Sequence, residues 1–340
     1  MAAEPGRAAP AVRAGVTAAT PADPVPAIAV VRLDLDPASA IAMTRLGPDP
    51  APAIAVIRLD TDPDTATLAA AQWAGQHALG LYVALLAGAL AATVFAWLGH
   101  RRLAAAWRRP TRRASLIWIG GIGVRLGAGF GVILAAAWAF AEIAEALNAG
   151  PRLGRIDQAF TDALARSVPL AALQVFAALT RLGDTATLTG LGVGVAVALV
   201  ATGRRGLALG WVAAVAGNSV LNTTLKRVFE RVRPVHEGGL VTADGFSFPS
   251  GHSSGSLVAY GMLAYLAVRV LPPRWHLPAA LVAVALALTV GTSRIFLRVH
   301  FASDVLAGFA SGAAWLAVCI GSVEAVRWYR SRADQAGRTG

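Results

Sequence analysis

Three polar clusters interrupt the apolar second half of this chain, and their side chains are of the kind that handle phosphate. The first runs from Lys226 through Arg227, Glu230, Arg231 and Arg233 to Pro234. The second is Phe248, Pro249, Ser250, Gly251 and His252, and the third carries Ser293, Arg294, Arg298, His300 and Asp304. Lys226, Arg233 and Arg294 are cations at neutral pH, and two guanidiniums plus an ammonium match a phosphate dianion, which forked arginines bind bidentately. Ser250 and Gly251 lead into a new apolar run, so their backbone N–H groups are expected at the mouth of a helix, where an anion is favoured. His252 and His300 are of the one side-chain type that titrates near neutrality. Asp304 follows His300 by four residues, so on a helix the two share a face and the carboxylate can fix the imidazole tautomer. The set holds phosphate binders, a nucleophile with its orienting carboxylate, and an acid.

Each cluster alone has a plainer explanation. Lys226, Arg227, Arg231 and Arg233 end an apolar run and could snorkel to headgroups. Pro249, Ser250 and Gly251 are turn and cap residues. What favours chemistry is that Asn218, Asn222 and Lys226 are spaced by fours, forming one polar stripe that must face inward rather than lipid. Moreover, each cluster sits where an apolar run ends, so the three can converge in a water-accessible pocket while hydrocarbon-facing turns stay apolar. Arg227, Glu230 and Arg231 are read as surface or supporting residues, Arg298 as an interface residue, and Ser253 and Ser254 as helix caps.

Lys226-x6-Arg233-Pro234, Pro249-Ser250-Gly251-His252 and Ser293-Arg294-x5-His300-x3-Asp304, in this order, resemble the three signature motifs of the type 2 phosphatidic acid phosphatase (PAP2) and vanadium haloperoxidase superfamily, in its membrane lipid phosphatase branch. Every motif position matches, and the resemblance covers roughly Arg125 to Val323. It implies a metal-independent phosphatase inhibited by vanadate, acting on a phosphomonoester or diphosphate lipid of the undecaprenyl diphosphate or phosphatidate type. Carried onto these residues, His300 is the nucleophile that forms a phosphohistidine, Asp304 orients it, and His252 is the general acid. Lys226, Arg233, Ser250, Gly251 and Arg294 bind the phosphate and stabilise its transition-state charge. No cofactor is implied. The cations occupy the electrostatic role of a metal ion, and the acidic residues lack metal-ligand spacing. A lipid phosphotransferase using the same intermediate is an alternative, as is a non-catalytic lipid binder or transporter; haloperoxidases are soluble, and this chain is not.

The elements that must position these groups are membrane helices. Of 340 residues 56% are hydrophobic, and the mean hydropathy is +0.58, which places the chain among multi-span membrane proteins. Its net charge of +11 does not point to nucleic acid, because the basic residues fall in short clusters between apolar runs, as cytoplasmic loops do. The single cysteine, Cys319, lies inside an apolar run and excludes a disulfide framework.

The fold expected is all-α, a polytopic helical bundle with a six-span phosphatase core and one extra N-terminal span. Spans are expected near Leu79–Leu98, Arg125–Ala146, Thr185–Val200, Leu207–Leu225, Gly255–Leu271, Leu277–Val290 and Val305–Ile320. Residues 1–77 are read as a disordered Ala/Pro-rich tail in which the stretch from Asp23 to Pro37 recurs almost unchanged from Asp49 to Pro63. Residues 78–115 hold the extra span and a basic linker with Arg108, Arg109, Arg112 and Arg113, residues 116–325 the core, and 326–340 a basic tail.

The first insertable run begins near Leu79, too late for a signal peptide. Alternating sides from the linker puts Arg204, Arg205, Arg269, Arg274, Arg327, Arg330 and Arg332 inside and all three motifs outside, on the periplasmic or exterior face of the cell membrane. Between Pro151 and Arg181 an interfacial helix is expected, with a re-entrant hairpin as the alternative, and Asp184 is read as a cap or a local ion-pair partner of Arg181. The partners implied are a phosphorylated lipid and membrane lipids; no oligomeric state is indicated.

Overall fold

Runs of Ala, Leu and Val without interior proline are good helix formers when packing supports them, and the computed structural model, which describes residues 63–107, 114–234 and 239–339, is helical wherever they occur. The helices are α1 (Pro63–Gln76), α2 (Ala78–Trp107), α3 (Ala114–Asn148), α4 (Arg152–Ser167), α5 (Leu170–Leu179), α6 (Thr185–Ala201), α7 (Arg205–Phe229), α8 (Gly251–Val270), α9 (His276–Phe296) and α10 (Ala302–Thr339). A compact unit begins at Ala66. Among the described residues there is no strand.

Two apolar clusters hold this unit together. In the first, Trp211, Val258 and Met262 are fully or almost fully buried where α7, α8 and α10 meet. The second gathers Leu164, Phe176, Phe296 and Val299, with the Phe176 and Phe296 rings stacked at 4.2 Å. Tyr82 packs edge-on against both rings and hydrogen-bonds Thr289 at 2.7 Å, which ties α2 to α9. Glycines set the closest approach. A Cβ at Gly308 would lie 2.6 Å from the Ser250 carbonyl oxygen, and one at Gly312 3.0 Å from Ser254 Cα. This small-xxx-small pair lets α10 touch the first turn of α8, as close helix contacts in membranes require.

All seven expected spans coincide with helices, but among the described residues four segments meet the length and apolarity of a membrane crossing: Ala78–Leu103, Gly127–Asn148, Pro273–Phe296 and Ala302–Gln335. A fifth results if α4 and the segment Leu170–Gly183, bent by 115°, form one broken span. The physical reasons differ. At 17 residues α6 is roughly 26 Å long, short of the ~30 Å hydrocarbon core, whereas α7 and α8 spend inward positions on Asn218, Asn222, Ser253, Ser254 and Ser256. By contrast α2 and α3 expose much of their apolar surface, Phe95, Phe130 and Trp138 included, as lipid-facing helices do.

Two further expectations change. Structure begins earlier than the sequence implied, since α1 lies within the stretch read as a tail and Ser167 donates to its Gly75 carbonyl at 3.1 Å. The interfacial stretch is two helices broken at Val168 and Pro169, and α4 turns Asp157, Thr161 and Leu164 inward. The duplicated segment, apart from its last residue, and Arg108, Arg109, Arg112 and Arg113 lie outside the described residues.

Candidate active site

The polar stripe of α7 faces inward. Asn218 and Asn222 are buried, and their amides reach Ser254 Oγ at 3.4 and 3.3 Å. One turn later Lys226 Nζ donates to the Phe246 carbonyl. The helix ends at Glu230, whose φ of 44° is left-handed, and this C-cap turns the chain so that Arg231 and Arg233 point back into the bundle.

His300 and Asp304 do not share a helical face as expected. His300 lies in the turn before α10, and Asp304 in its first turn accepts the Phe301 N–H at 2.9 Å, the backbone half of a capping box. The pair still meets, with His300 Nδ1 at 3.5 Å from Asp304 Oδ2. On the other side of the ring, Arg233 Nη1 stands 3.0 Å from His300 Nε2. A guanidinium can only donate, so Nε2 carries the lone pair and Nδ1 the proton, which faces the carboxylate. Burial pushes the His300 imidazole down to about 3, although Asp304 pulls the other way, and the ring is therefore neutral at neutral pH.

Behind this pair is a network the sequence did not reveal. Arg231 Nη1 contacts Asp304 Oδ1 at 2.7 Å, and its Nη2 contacts Asp157 Oδ2 at 2.8 Å. Ser303 hydrogen-bonds Asp157 by its backbone N–H at 3.2 Å and also by its hydroxyl, and Ser247 donates to Asp304. Arg231, read as a surface or supporting residue, is thus a buried bridge between two carboxylates on α4 and α10. Nothing in its local sequence distinguishes it from Arg227, and Asp157 is just one polar residue of an amphipathic helix.

A second histidine–carboxylate pair faces the first cluster. His252 Nε2 is 3.0 Å from Asp184 Oδ1. Asp184 does sit at the N-cap position of α6, but its side chain makes no cap hydrogen bond; it serves His252 instead of the helix or Arg181. Close packing permits this, because a Cβ on Gly183 would meet Val290 and come within 3.0 Å of the His252 ring. Arg294 is 3% exposed; its Nη1 donates to Thr180 Oγ1 at 2.9 Å, while its Nε is buried without a partner. An unpaired charged donor is costly, and an anion at this place would satisfy it.

Lys226, Arg233, Gly251, His252, Arg294 and His300 all line one cavity of about 450 Å³. Two expected phosphate ligands hydrogen-bond within the protein. Ser250 is fully buried and caps α8, accepting from Ser253 N at 3.4 Å, while its own N–H donates to the Asp304 carbonyl at 2.9 Å. It joins α8 to α10, leaving Gly251 at the cavity wall. Arg233 has all five donors engaged: Nε with Gly245 O at 2.9 Å, Nη1 with Val299 O at 2.7 Å and with His300, and Nη2 with Asp244 O and Phe246 O at 3.0 and 3.2 Å. It straps the 244–246 loop over the site, and burial lowers its affinity for its proton. Ser253 and Ser254 are buried packing and hydrogen-bonding groups between α7 and α8. Among the described residues no three His, Cys, Asp or Glu side chains converge as a metal site would need.

Parts of the chain are similar to known proteins. Residues 207–328 match the family model described as the PAP2 superfamily. A stretch of 115 residues is 38% identical to phosphatidylglycerophosphatase B of Bacillus subtilis (strain 168), covering 33% of this chain and 56% of that relative. The crystal structure of a transmembrane PAP2-type phosphatidylglycerolphosphate phosphatase from Bacillus subtilis aligns with a TM-score of 0.54 at 29% identity, over 57% of this chain and 96% of that one. The chain is an all-α membrane protein whose residues 207–328 are similar to the PAP2 superfamily.

Proposed function

We propose that this protein is a membrane lipid phosphatase that cleaves a phosphomonoester or diphosphate lipid through a phosphohistidine on His300, without a metal ion. The observation that carries the reading is the His300 ring, held neutral between Asp304 and Arg233 with its Nε2 lone pair toward the cation-lined cavity. In the first step Nε2 attacks phosphorus, the P–O bond to the lipid breaks, and His252 protonates the departing oxygen. Asp304 holds the Nδ1 proton and stabilises the positive ring that forms. Lys226, Arg233, Arg294 and the Gly251 amide offset charge on the equatorial oxygens, Arg294 through its otherwise unpaired Nε. Water then attacks the phosphohistidine, His252 accepts its proton, and phosphate leaves. As the anion enters, Arg233 turns its donors from His300 Nε2 and the loop carbonyls to the phosphate oxygens, which frees the Nε2 lone pair, and Lys226 releases its loop carbonyl.

The likeness to a phosphatidylglycerophosphatase makes a phosphatidylglycerophosphate-type lipid a candidate beside undecaprenyl diphosphate and phosphatidate. The positive-inside pattern supports a cell-membrane location with the site on the periplasmic or outer face. The test is phosphate release by the purified protein from these three lipids with EDTA present. Metal-independent release is expected from at least one, falling by about 10⁴-fold or more in His300→Ala. Release that persists in His300→Ala, or that requires a divalent cation, overturns the mechanism.

A further inference from the structure

At the end of the bundle remote from His300, a second cavity of about 600 Å³ opens between the start of α7, the end of α8 and the second half of α10. Arg269 is 17 residues beyond His252 on α8, which separates the two cavities by roughly 25 Å. Five arginines line the second one: Arg204, Arg205, Arg269, Arg327 and Arg330. Glu324 pairs with Arg269 at 3.7 Å and with Arg327 at 3.9 Å. Arg204, Arg205 and Arg330 have no carboxylate partner among the described residues. The concavity is built rather than incidental: Gly203 takes a left-handed φ of 74°, and Gly210 packs so closely on α10 that a Cβ there would collide with Val323. Beside the cationic rim the wall is apolar and open, with Leu209 72% and Val326 50% exposed.

A rim that gathers unpaired guanidiniums above an exposed apolar flank matches one kind of molecule, a lipid with an anionic phosphate headgroup and acyl chains. A soluble protein partner would leave the apolar flank in contact with hydrocarbon uncovered, and a free anion would leave it unused. We propose that this cavity is a binding site for an anionic phospholipid of the leaflet opposite the phosphatase site. The headgroup phosphate sits among Arg204, Arg205 and Arg330, and the chains run along Leu209, Ala213 and Val326. The inference stands apart from the proposed activity, since it uses none of the site's residues.

The experiment is native mass spectrometry of the full chain released from detergent, titrated with phosphatidylglycerol, with phosphatidylcholine and with inorganic phosphate. The wild type and Lys226→Gln should retain phosphatidylglycerol alike, in clear preference to phosphatidylcholine. Arg204→Gln/Arg205→Gln/Arg330→Gln should lose about a hundredfold in apparent affinity, given roughly 1 kcal/mol per basic residue. The corresponding triple Lys variant, which keeps the charge, should recover most of the loss and so separates headgroup attraction from misfolding. Equal retention by wild type and triple Gln variant, equal retention of the two lipids, loss only in Lys226→Gln, or occupancy by inorganic phosphate that competes fully with lipid would each overturn the proposal.

Discussion

Both ends of this helical bundle collect arginines, yet they treat them in opposite ways. At the His300 end Arg294 and the Arg231 side chain are buried, every guanidinium nitrogen of Arg233 has a fixed protein partner, and so do both terminal nitrogens of Arg231. At the remote end Arg204, Arg205 and Arg330 are exposed and unpaired among the described residues. Burying a guanidinium is expensive unless carboxylates and hydrogen bonds compensate it. A cluster that survives burial is therefore a rigid, preorganised one, able to stabilise developing charge without reorganising. The exposed cluster keeps its hydration and can be selected for topology and lipid contact instead.

The sharpest way to break the contrast is to remove one buried cation. Arg231→Met leaves Asp157 and Asp304 facing each other in the interior, and unfolding in denaturant should show a loss of about 3–5 kcal/mol. Adding Asp157→Asn should restore part of it, because one uncompensated charge is gone. A result within experimental error of wild type for Arg231→Met would mean that the bridge contributes nothing, and the two ends would then be energetically alike.

Next in size is the second histidine–carboxylate pair. Asp184→Asn keeps the shape but removes the charge beside His252, and kcat should fall by about 10- to 100-fold with KM little changed, the range of general acid catalysis weakened rather than lost. A rise in KM alone would instead make Asp184 a substrate-positioning group.

The smallest effect concerns protons. His300 has a folded value of about 3 against an ordinary imidazole value of 6.5. Its folded value is depressed, so the unfolded chain binds the proton more tightly, and stability is complete above pH 6.5 and falls as pH drops from 6.5 toward 3. Thermal unfolding of wild type should show this decline, and His300→Gln, which cannot take up the proton, should flatten it. Nor should His300 produce an acid limb in kcat/KM between pH 5 and 8. At the remote end, the Arg204, Arg205 and Arg330 substitutions should leave kcat on a short-chain substrate within about twofold, since exposed charges 25 Å away are largely screened.

Much of this was legible in the chain itself. The helices were, because apolar runs bounded by glycine, proline and charge leave few other ways to satisfy backbone groups in a membrane. The cavity-lining set was too: Lys226, Arg233, Gly251, His252, Arg294 and His300 were each marked by residue type and by position at the end of an apolar run. The inward face of α7 followed from the spacing of Asn218, Asn222 and Lys226, since a polar stripe on a lipid-facing helix is costly.

What the sequence left open was pairing across distance. Asp157 and Arg231 stand 74 residues apart, and His252 and Asp184 68 apart, so no periodicity links them. Only the bend between α4 and α5, the left-handed turn at Glu230 and the close contact of Gly308 with Ser250 bring them together. The same packing decided that Ser250 caps α8 and that its amide is held by the Asp304 carbonyl. Residue type and spacing determined which groups could do chemistry; tertiary contacts decided which carboxylate serves which histidine, because a hydrogen bond depends on where two chains meet in space and not on how far apart they lie in sequence.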